Sequence, residues 1–544
     1  METLEQLLAL FVAAVVLASL ARRVGAPYPV FLALGGAAIA LMPQAPTFAL
    51  PPELALALFV APVLVDAAYD MSLRDLRDNW APIAGLVVAA VSLTTVAVAA
   101  VAHALVPELP WAAAIALGAI VAPPDAVAAG AVLRPMHPPH RIVNILEGES
   151  LLNDATALLV YRLAVGAVAA GEFTWGAVGP AFLLGVAGSL LAGALLGRAV
   201  IYVTDRIEHV PTAIILQFVF SFGVWIAAER LGLSAVLTMV CFAVTLKRTR
   251  RRPMPARMRI ATNAVWSAVV FALNILAFIF IGLQVRPILG GLDRAELHLY
   301  LGVTGAVLAT AIGVRLAWHM SFNTVLRWRH RRWGYHPPRP LMRPTVGTGL
   351  VISWAGMRGI VTLAAALALP AAFPQRDLIL FAAFGVVLGT LVVQGLTLKP
   401  LLRALRLRDD DPVGRETGAA RERAYQAGLA SMADVQSPDA DKVREKLRTL
   451  LVSPEADDDA AEDAADGAAR QRALYRQALG AAREAIQAMR DEDEIGEDAF
   501  LQIEQDLDWR EMAIGGAARA GRPAPAPRAD ALAGAGPGQP APPA

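Results

Sequence analysis

The sequence has one cysteine, Cys241, and only eight histidines. The single cysteine excludes an intramolecular disulfide, and no histidines or cysteines stand at the spacing of a metal site. We find no glycine-rich nucleotide loop and no nucleophile triad either. The sequence therefore gives no indication of an enzyme, a bound cofactor or a resident metal.

Charge is also scarce, because only 17% of the residues are charged and 56% are hydrophobic. The mean hydropathy is +0.51. These values are typical of a membrane protein with several spans. The net charge of +1 gives no sign of a nucleic-acid partner, and we expect none. Glu2 and Glu5 precede the first apolar run and Arg22 follows it, the reverse of a cleaved signal peptide, so we expect a retained first span.

Thirteen apolar segments are long enough, or nearly so, to cross a bilayer as helices, which needs roughly 20 residues each. They lie near residues 4–21, 28–42, 53–71, 81–106, 110–133, 143–169, 176–203, 211–229, 233–246, 262–285, 296–320, 345–369 and 377–402. The fold class predicted is an all-α membrane protein of thirteen transmembrane helices.

Basic residues concentrate in alternate loops, most strongly in 247–259 and 327–343. Under the positive-inside rule these loops are cytoplasmic, which places the N-terminus outside and the C-terminal tail inside. Only four lysines occur among the 48 basic residues, a bias that suggests a GC-rich bacterial genome. We therefore expect a multi-pass protein of a bacterial plasma membrane.

Three parts are predicted along the chain: a membrane domain over 1–405, a cytoplasmic helical tail over 406–514, and a disordered Ala/Pro/Gly-rich C-terminus over 515–544. The tail is interpreted as a regulatory or dimer-forming element, with a merely solvated appendage as the alternative.

The most informative stretch is residues 144–156, which places Glu147, Glu149 and Asp154 in the sixth span. Asp154 lies about 15 Å from the cytoplasmic end of that helix, close to the middle of a ~30 Å core. An ionised side chain there costs at least about 2.5–3.5 kcal/mol, which favours an ion or proton path. The alternative is a carboxylate neutralised by arginine to hold helices together. Ser150 is one turn from Asp154, and Asn153 one turn from Glu149.

Arg315 lies in the middle of the eleventh predicted span and needs a buried acid. Glu149 is the preferred partner, in a bidentate and mainly structural ion pair.

The fifth span contains Pro123-Pro124, which removes two backbone donors, so a break is predicted there with Asp125 as the N-cap of the second half. The twelfth span has a similar interruption at Gly356-Met-Arg358-Gly359. If spans 1–6 and 8–13 are inverted repeats, these two breaks correspond and indicate a transporter's midplane site. Arg358 would balance a half-helix C-terminus, or alternatively reach the cytoplasmic surface.

Asp66 is a further acid in the middle of a span, the third. It is a candidate to complete a coordination shell, or alternatively a polar group bonded to a neighbouring helix.

The motif Glu147-Gly-Glu-Ser-Leu-Leu-Asn153-Asp154 strongly resembles the signature of the monovalent cation/proton antiporter-1 family, the sodium/proton exchangers. The Pro-Pro-Asp125 and Gly356-Met-Arg358-Gly359 motifs resemble two other landmarks of that family, in the same order. The resemblance covers about residues 1–405.

The resemblance implies a homodimer of thirteen-span subunits in which Asp154 binds a cation and a proton alternately. Ser150, Asp66 and the broken backbone near Pro124 would assist in binding Na⁺. Asn153 stands where related electrogenic exchangers carry a second Asp, which implies electroneutral exchange. The pairing of Glu149 with Arg315 also matches the family pattern.

Two departures concern ion selectivity. Many members read Thr-Asp-Pro where this chain has Pro124-Asp125-Ala126, which removes a hydroxyl ligand. Asp66 stands where many members have the longer Glu.

The function predicted is exchange of Na⁺ against protons across the membrane by alternating access, with K⁺ or Li⁺ as alternative cations. A cation-coupled symporter of an organic solute and a Na⁺ or pH sensor remain as alternatives on the same scaffold.

Overall fold

The computed structural model describes residues 2–42, 51–136, 138–170, 175–249, 254–290, 292–334, 344–407, 412–452 and 465–520. Over these ranges the chain is helical and contains no β-strand. It divides into two compact units: one contains 1–418 and 492–499, the other 419–491 and 500–544. The first unit thus extends beyond the boundary predicted at 405 and also includes a short piece of the tail.

The first half of the membrane unit contains eleven α-helices: α1 Glu2–Val24, α2 Tyr28–Ala40, α3 Pro52–Ala55, α4 Ala61–Asp70, α5 Leu73–Asp78, α6 Trp80–Ala84, α7 Val91–Leu105, α8 Trp111–Val121, α9 Ala126–Leu133, α10 His140–Ala170 and α11 Trp175–Thr204. Short π-helical turns at Leu56–Val60 and Gly85–Ala90 join α3 to α4 and α6 to α7, and a 3₁₀ turn at Arg134–Met136 follows α9.

The second half contains α12 Val210–Arg230, α13 Ala235–Thr249, α14 Ala256–Leu283, α15 Val285–Leu289, α16 Arg294–Trp333, α17 Val346–Trp354, α18 Ile360–Leu367 and α19 Arg376–Leu405. Helices therefore overlap all of the predicted spans. Eight helical stretches within the described ranges are long and apolar enough to cross a bilayer. They are Trp80–Leu105, Trp111–Met136, His140–Ala169, Leu183–Thr204, Val210–Arg230, Met258–Leu289, Arg294–Trp333 and Arg376–Leu405.

Two sets of neighbours organise this unit. Helices α7, α8, α10, α16 and α19 pack side by side, with the half-helices α9, α17 and α18 among them. Helix α13 packs on α11, α12 and α4, and α14 packs on α2. The α2–α14 contact depends on Gly36 and Gly282: a Cβ at Gly36 would overlap the carbonyl of Ile279, and one at Gly282 the backbone of Ala33. The two backbones thus touch.

The tail contains α20 Pro412–Ala430, α21 Pro438–Val452, α22 Ala465–Asp491 and α23 Glu497–Ala520. Its own core buries apolar side chains such as Tyr475 and Ile486, and Arg483 pairs with Asp508 at 3.0 Å. Helix α23 continues to Ala520, so it reaches into the stretch 515–544 for which the sequence predicts disorder. Residues 521–544 lie outside the described ranges, as does the acidic stretch 455–463.

Candidate functional site

The predicted break in the fifth span lies between α8 and α9. Helix α8 ends at Val121 and α9 begins at Ala126, because the two prolines cannot donate the backbone bonds that would continue α8. Asp125 is extended, with φ −98° and ψ 117°, and its Oδ1 accepts a hydrogen bond from the Val127 N–H at 2.9 Å. Asp125 is therefore the N-cap of α9, as the sequence predicts.

The second break lies between α17 and α18, over residues 355–359. The two breaks touch: the Asp125 N–H donates to the Met357 carbonyl at 2.6 Å. A side chain at Gly359 would overlap the carboxylate of Asp125. The interrupted helices therefore cross with their non-helical backbones in contact.

Arg358 lies at this crossing with no exposed surface. Its Nε donates to the Val121 carbonyl at 2.9 Å and its Nη2 to the Ala122 carbonyl at 3.4 Å. Its Nη1 donates to the Gly356 carbonyl, and its backbone N–H donates to the Thr390 hydroxyl at 3.0 Å. The guanidinium thus binds carbonyls at the C-terminus of α8, where a helix dipole favours positive charge. The interpretation of Arg358 as a residue reaching the cytoplasmic surface is wrong, because its side chain is fully buried.

Helix α10 supplies the side chains that face these breaks. The Ser150 Oγ accepts a hydrogen bond from the Ala126 N–H at 3.3 Å, and the Asn153 amide donates to the Pro124 carbonyl at 3.5 Å. Asp154 follows one turn after Ser150, and only 7% of it is exposed. The predicted polar residues of α10 therefore meet the broken backbone of the fifth span.

Glu149 and Arg315 form a buried bidentate ion pair between α10 and α16. The Arg315 Nη1 binds the Glu149 Oε1, and Nη2 lies 2.7 Å from Oε2. Arg315 also donates to the Ser353 and Ile352 carbonyls, at 3.2 and 3.1 Å. These are the last carbonyls of α17, so Arg315 stands at the end of α17 as Arg358 stands at the end of α8.

A cavity of about 610 Å³ opens beside the crossing. Asp66, Asp125, Ser150 and Asp154 all line it. Pro124 and Asn153 are not among its lining residues, and both are buried. The structure thus divides the predicted ion-binding residues into four that reach the cavity and two that support the break behind it.

The outer part of the cavity carries charge of both signs. Arg22, Arg134, Glu147 and Lys399 line it, and Arg134 pairs with Glu147 at 2.9 Å. The Lys399 ammonium donates to the Gly25 carbonyl at 2.8 Å. All four belong to loops or helix ends on the side that the sequence predicts to be cytoplasmic.

The sequence interpretation missed two uncharged polar residues of the cavity wall, Tyr28 and Asn274, as well as the charged Arg22, Arg134 and Lys399. Asn274 is an isolated amide within the apolar span 262–285, and an isolated polar group in a span is a signal that could have identified it. Tyr28 follows Pro27 at the start of α2, where a tyrosine is ordinarily an interface anchor. No local pattern distinguishes it.

The arrangement can hold a small cation without a resident cofactor. Carboxylate, hydroxyl and carbonyl oxygens are the ligands that hard cations prefer. Among the described residues no group of three or more His, Cys, Asp or Glu side chains is placed to hold a metal ion.

Comparisons with known proteins identify the family of the chain. The family model described as "Sodium/hydrogen exchanger, transmembrane" matches residues 8–404. A Mycobacterium tuberculosis protein described as an uncharacterized Na⁺/H⁺ exchanger is 32% identical over 93% of this chain and 95% of its own length. A Bacillus pumilus sodium, potassium, lithium and rubidium/H⁺ antiporter is 31% identical over 69% of this chain and 57% of its own length.

The sodium/proton antiporter MjNhaP1 from Methanocaldococcus jannaschii has a similar fold. Its structure matches with a TM-score of 0.56 at 16% identity, over 75% of this chain and 99% of that one. With a family model that spans nearly the whole membrane unit, the chain belongs to the sodium/hydrogen exchanger family, whose members are transporters rather than enzymes.

Proposed function

We propose that the chain is an electroneutral antiporter that exchanges Na⁺ for protons, with both competing for Asp154. The observation that carries this proposal is the position of Asp154: a nearly buried carboxylate in the wall of a cavity, beside Asp125, Ser150 and Asp66, where two broken helices cross. Family membership supports cation/proton antiport in general. The Bacillus relative's name includes potassium and lithium, which keeps K⁺ and Li⁺ as alternative cations.

Competition for one carboxylate couples the two fluxes. A charged, empty Asp154 would have to lose its water when the cavity closes, and burying an unpaired carboxylate is strongly unfavourable. Binding of Na⁺ or of a proton neutralises the group and permits closure. The site therefore reorients when it carries Na⁺ or a proton and does not reorient when it is empty. This is alternating access with obligatory exchange.

The ligands proposed for Na⁺ are Asp154, Ser150 and Asp66, the predicted ion-binding residues that line the cavity and are not the N-cap of α9. Asp125 is held as the N-cap of α9 and contributes its charge from nearby. Pro124 and Asn153 do not line the cavity, and the hydrogen bond from the Asn153 amide to the Pro124 carbonyl stabilises the helix break.

Electroneutral exchange follows from the charges that remain available. Asn153 is uncharged, and Glu149 is neutralised by Arg315. Asp154 then exchanges one cation for one proton per cycle, with no net movement of charge.

The proposed assembly is a homodimer of thirteen-span subunits in a bacterial plasma membrane, with the N-terminus outside and the tail in the cytoplasm. Helices at every predicted span and breaks at the corresponding fifth and twelfth positions support two inverted six-helix repeats. The bacterial relatives support the location.

The test is transport by the purified protein in proteoliposomes that contain a pH dye, with Na⁺, K⁺ and Li⁺ added in turn, with and without a membrane-potential clamp. We expect cation-driven proton movement that the clamp leaves unchanged. Asp154→Asn should abolish it, whereas Glu108→Gln, which removes an exposed carboxylate from the loop before α8, should transport normally.

Other results would separate the alternatives. No proton movement with any cation would favour the sensor or the organic-solute symporter. Normal transport by Asp154→Asn would overturn the assigned site. A rate that changes with the clamp would overturn electroneutrality.

A further inference from the structure

The tail residues Glu492–Ala499, hereafter the acidic segment, group with the membrane unit and not with the helices on either side of them. The segment connects α22 to the first turn of α23. Five of its eight residues are acidic: Glu492, Asp493, Glu494, Glu497 and Asp498. Its sequence resembles a solvated loop, yet its contacts are with basic side chains of α5, α10 and α13.

One group of contacts fixes the segment to α5. The Arg74 Nη1 donates to the Asp493 carbonyl at 2.9 Å, and Arg77 forms an ion pair with the Asp493 carboxylate. Arg74 also pairs with Glu416 at 2.6 Å, and the Glu416 carboxylate accepts the Gly496 N–H. A Cβ at Gly496 would overlap the Arg74 guanidinium, so the backbone lies directly against this arginine.

A second group binds two different membrane helices through consecutive residues. Glu497 pairs at 2.9 Å with Lys247, near the end of α13, and the two side chains are only 9% and 11% exposed. Lys247 also donates to the Met71 carbonyl, just after α4, at 3.2 Å. The Asp498 carboxylate lies 3.3 Å from Nε2 of His140, the first residue of α10.

These two helices have different tasks in the proposed mechanism. Helix α10 carries Asp154 and packs on α8, while α13 packs on α11 and α4. If the site reorients, α10 and the broken helices must move relative to the wall that α4 and α13 form. A peptide that binds the cytoplasmic ends of both α10 and α13 opposes that movement.

We propose that the acidic segment is an intramolecular regulatory ligand that binds the cytoplasmic ends of α5, α10 and α13 and slows exchange, more strongly when the cytoplasm is acidic. This inference rests on the proposed antiport. The receptor is the basic surface formed by Arg74, Arg77, His140 and Lys247, and the occupant is this chain's own residues 492–499.

The pH sense follows from the groups around His140. It faces Asp498 at 3.3 Å and Asp75, on α5, at 3.6 Å. Asp498 has Glu497 and Lys247 as its other charged neighbours. Histidine gains its charge between pH 5 and 8, and a charged imidazole between two carboxylates binds the segment more tightly than a neutral one. Acidification therefore strengthens docking.

The test compares full-length proteins in proteoliposomes at internal pH 6.5 and 8.5. Glu497→Gln, which breaks the buried ion pair with Lys247, should transport about tenfold faster than wild type at pH 6.5, which corresponds to ~1.4 kcal/mol, and much less than tenfold faster at pH 8.5. Arg77→Gln, which leaves the tail sequence intact, should give a smaller acceleration. The matched control is Asp434→Asn/Glu445→Gln, which removes two exposed charges from the tail outside the acidic segment.

Hydrogen–deuterium exchange of peptides covering 492–499 and α22 reports docking independently of transport. In the variants, only the peptides covering 492–499 should take up deuterium faster than in wild type. Faster uptake in α22 would mean that the tail has unfolded. If the segment is released in a variant but transport is unchanged or slower, the proposed regulation is overturned. Proton movement by the wild type would in that case still support the proposed antiport. Wild type that moves no protons would overturn the proposed function, and the regulation with it.

Discussion

The backbone N–H of Asp125 donates to the carbonyl of Met357 at 2.6 Å, which joins the interruption of one broken helix directly to that of the other. Each interruption thereby satisfies a polar group that water would otherwise have to reach inside the membrane. The two breaks form one structural unit, and we expect a substitution in either one to alter the surroundings of Asp154.

Gly359→Ala tests this contact. A methyl group there would overlap the Asp125 carboxylate, while the backbone at Gly359, with φ −137°, accepts alanine without strain. Overpacking of this kind costs about 1–3 kcal/mol, so we expect a lower melting temperature and weaker apparent Na⁺ affinity. Gly302→Ala on α16 is the matched control, because nothing lies within 4 Å of its added methyl. Equal behaviour of the two variants would contradict the packing described here.

We expect Arg358→Lys to be impaired in the same way as Arg358→Gln, although lysine keeps the positive charge. The guanidinium reaches the carbonyls of Val121 and Ala122 at the end of α8 and that of Gly356 as well, a fork that a single ammonium does not reproduce. Each carbonyl left unsatisfied costs about 1–3 kcal/mol. Both variants should lose thermal stability and transport, measured on protein in detergent and in proteoliposomes. Full activity of the lysine variant would show that only the charge matters.

Glu149→Gln and Arg315→Gln should each be strongly destabilising, by about 3–5 kcal/mol, because each leaves a buried charge without its partner. The double variant Glu149→Leu/Arg315→Met should recover part of that loss, since apolar residues replace the whole pair. Melting temperatures of the wild type, the two single variants and the double variant Glu149→Gln/Arg315→Gln form a double-mutant cycle that measures the coupling. Additive losses would mean that Arg315 acts mainly through the Ser353 and Ile352 carbonyls at the end of α17.

Asp66→Glu should change which cation is preferred without abolishing exchange. The longer side chain moves a proposed ligand by one methylene, and discrimination among alkali cations depends on cavity size and coordination. We expect the ratio of apparent affinities for Na⁺ and K⁺ to change by about threefold or more, roughly 0.7 kcal/mol. The measurement is the cation dependence of proton movement. An unchanged ratio would remove Asp66 from the coordination shell.

Docking of the tail should depend on pH through Asp498 as well as His140. Burial raises the pKa of the Asp498 carboxyl, with a smaller opposing effect of His140 and a smaller supporting one of Asp75. Because the docked pKa lies above the ordinary value, this group favours docking as the pH falls and loses that contribution as the pH rises through the raised pKa. Deuterium exchange of 492–499, corrected for intrinsic rates, should slow on acidification, and Asp498→Asn should flatten this dependence. A wild-type profile with the opposite slope would contradict the assignment.

The sequence predicts the parts of the site whose causes are local. Pro123 and Pro124 remove two consecutive backbone donors in the middle of a span, and Asp is among the preferred N-cap residues. The pairing of Glu149 with Arg315 could be anticipated because each is untenable alone in a membrane. The second use of Arg315, at the end of α17, depends on how α16 crosses α17, which no spacing in the chain records.

The contacts of the acidic segment could not be predicted from the sequence. In the sequence, Asp493 and Glu497 cannot be distinguished from the acidic residues of a solvated loop. Their partners Arg77 and Lys247 belong to the basic clusters that the sequence assigns to loops. These pairs join positions hundreds of residues apart. Only the folded arrangement brings them together, so local patterns give the spans and the breaks but not the regulation.

The close contact of α2 and α14 at Gly36 and Gly282 has an electrical consequence. The cavity is bounded by these same two helices, through Tyr28 on α2 and Asn274 and Phe278 on α14. Where backbone meets backbone there is no room for a file of water molecules along which protons could hop. We therefore expect this wall to block proton leakage beside the proposed ion site, and we expect a side chain at either glycine to separate the helices and let protons leak across.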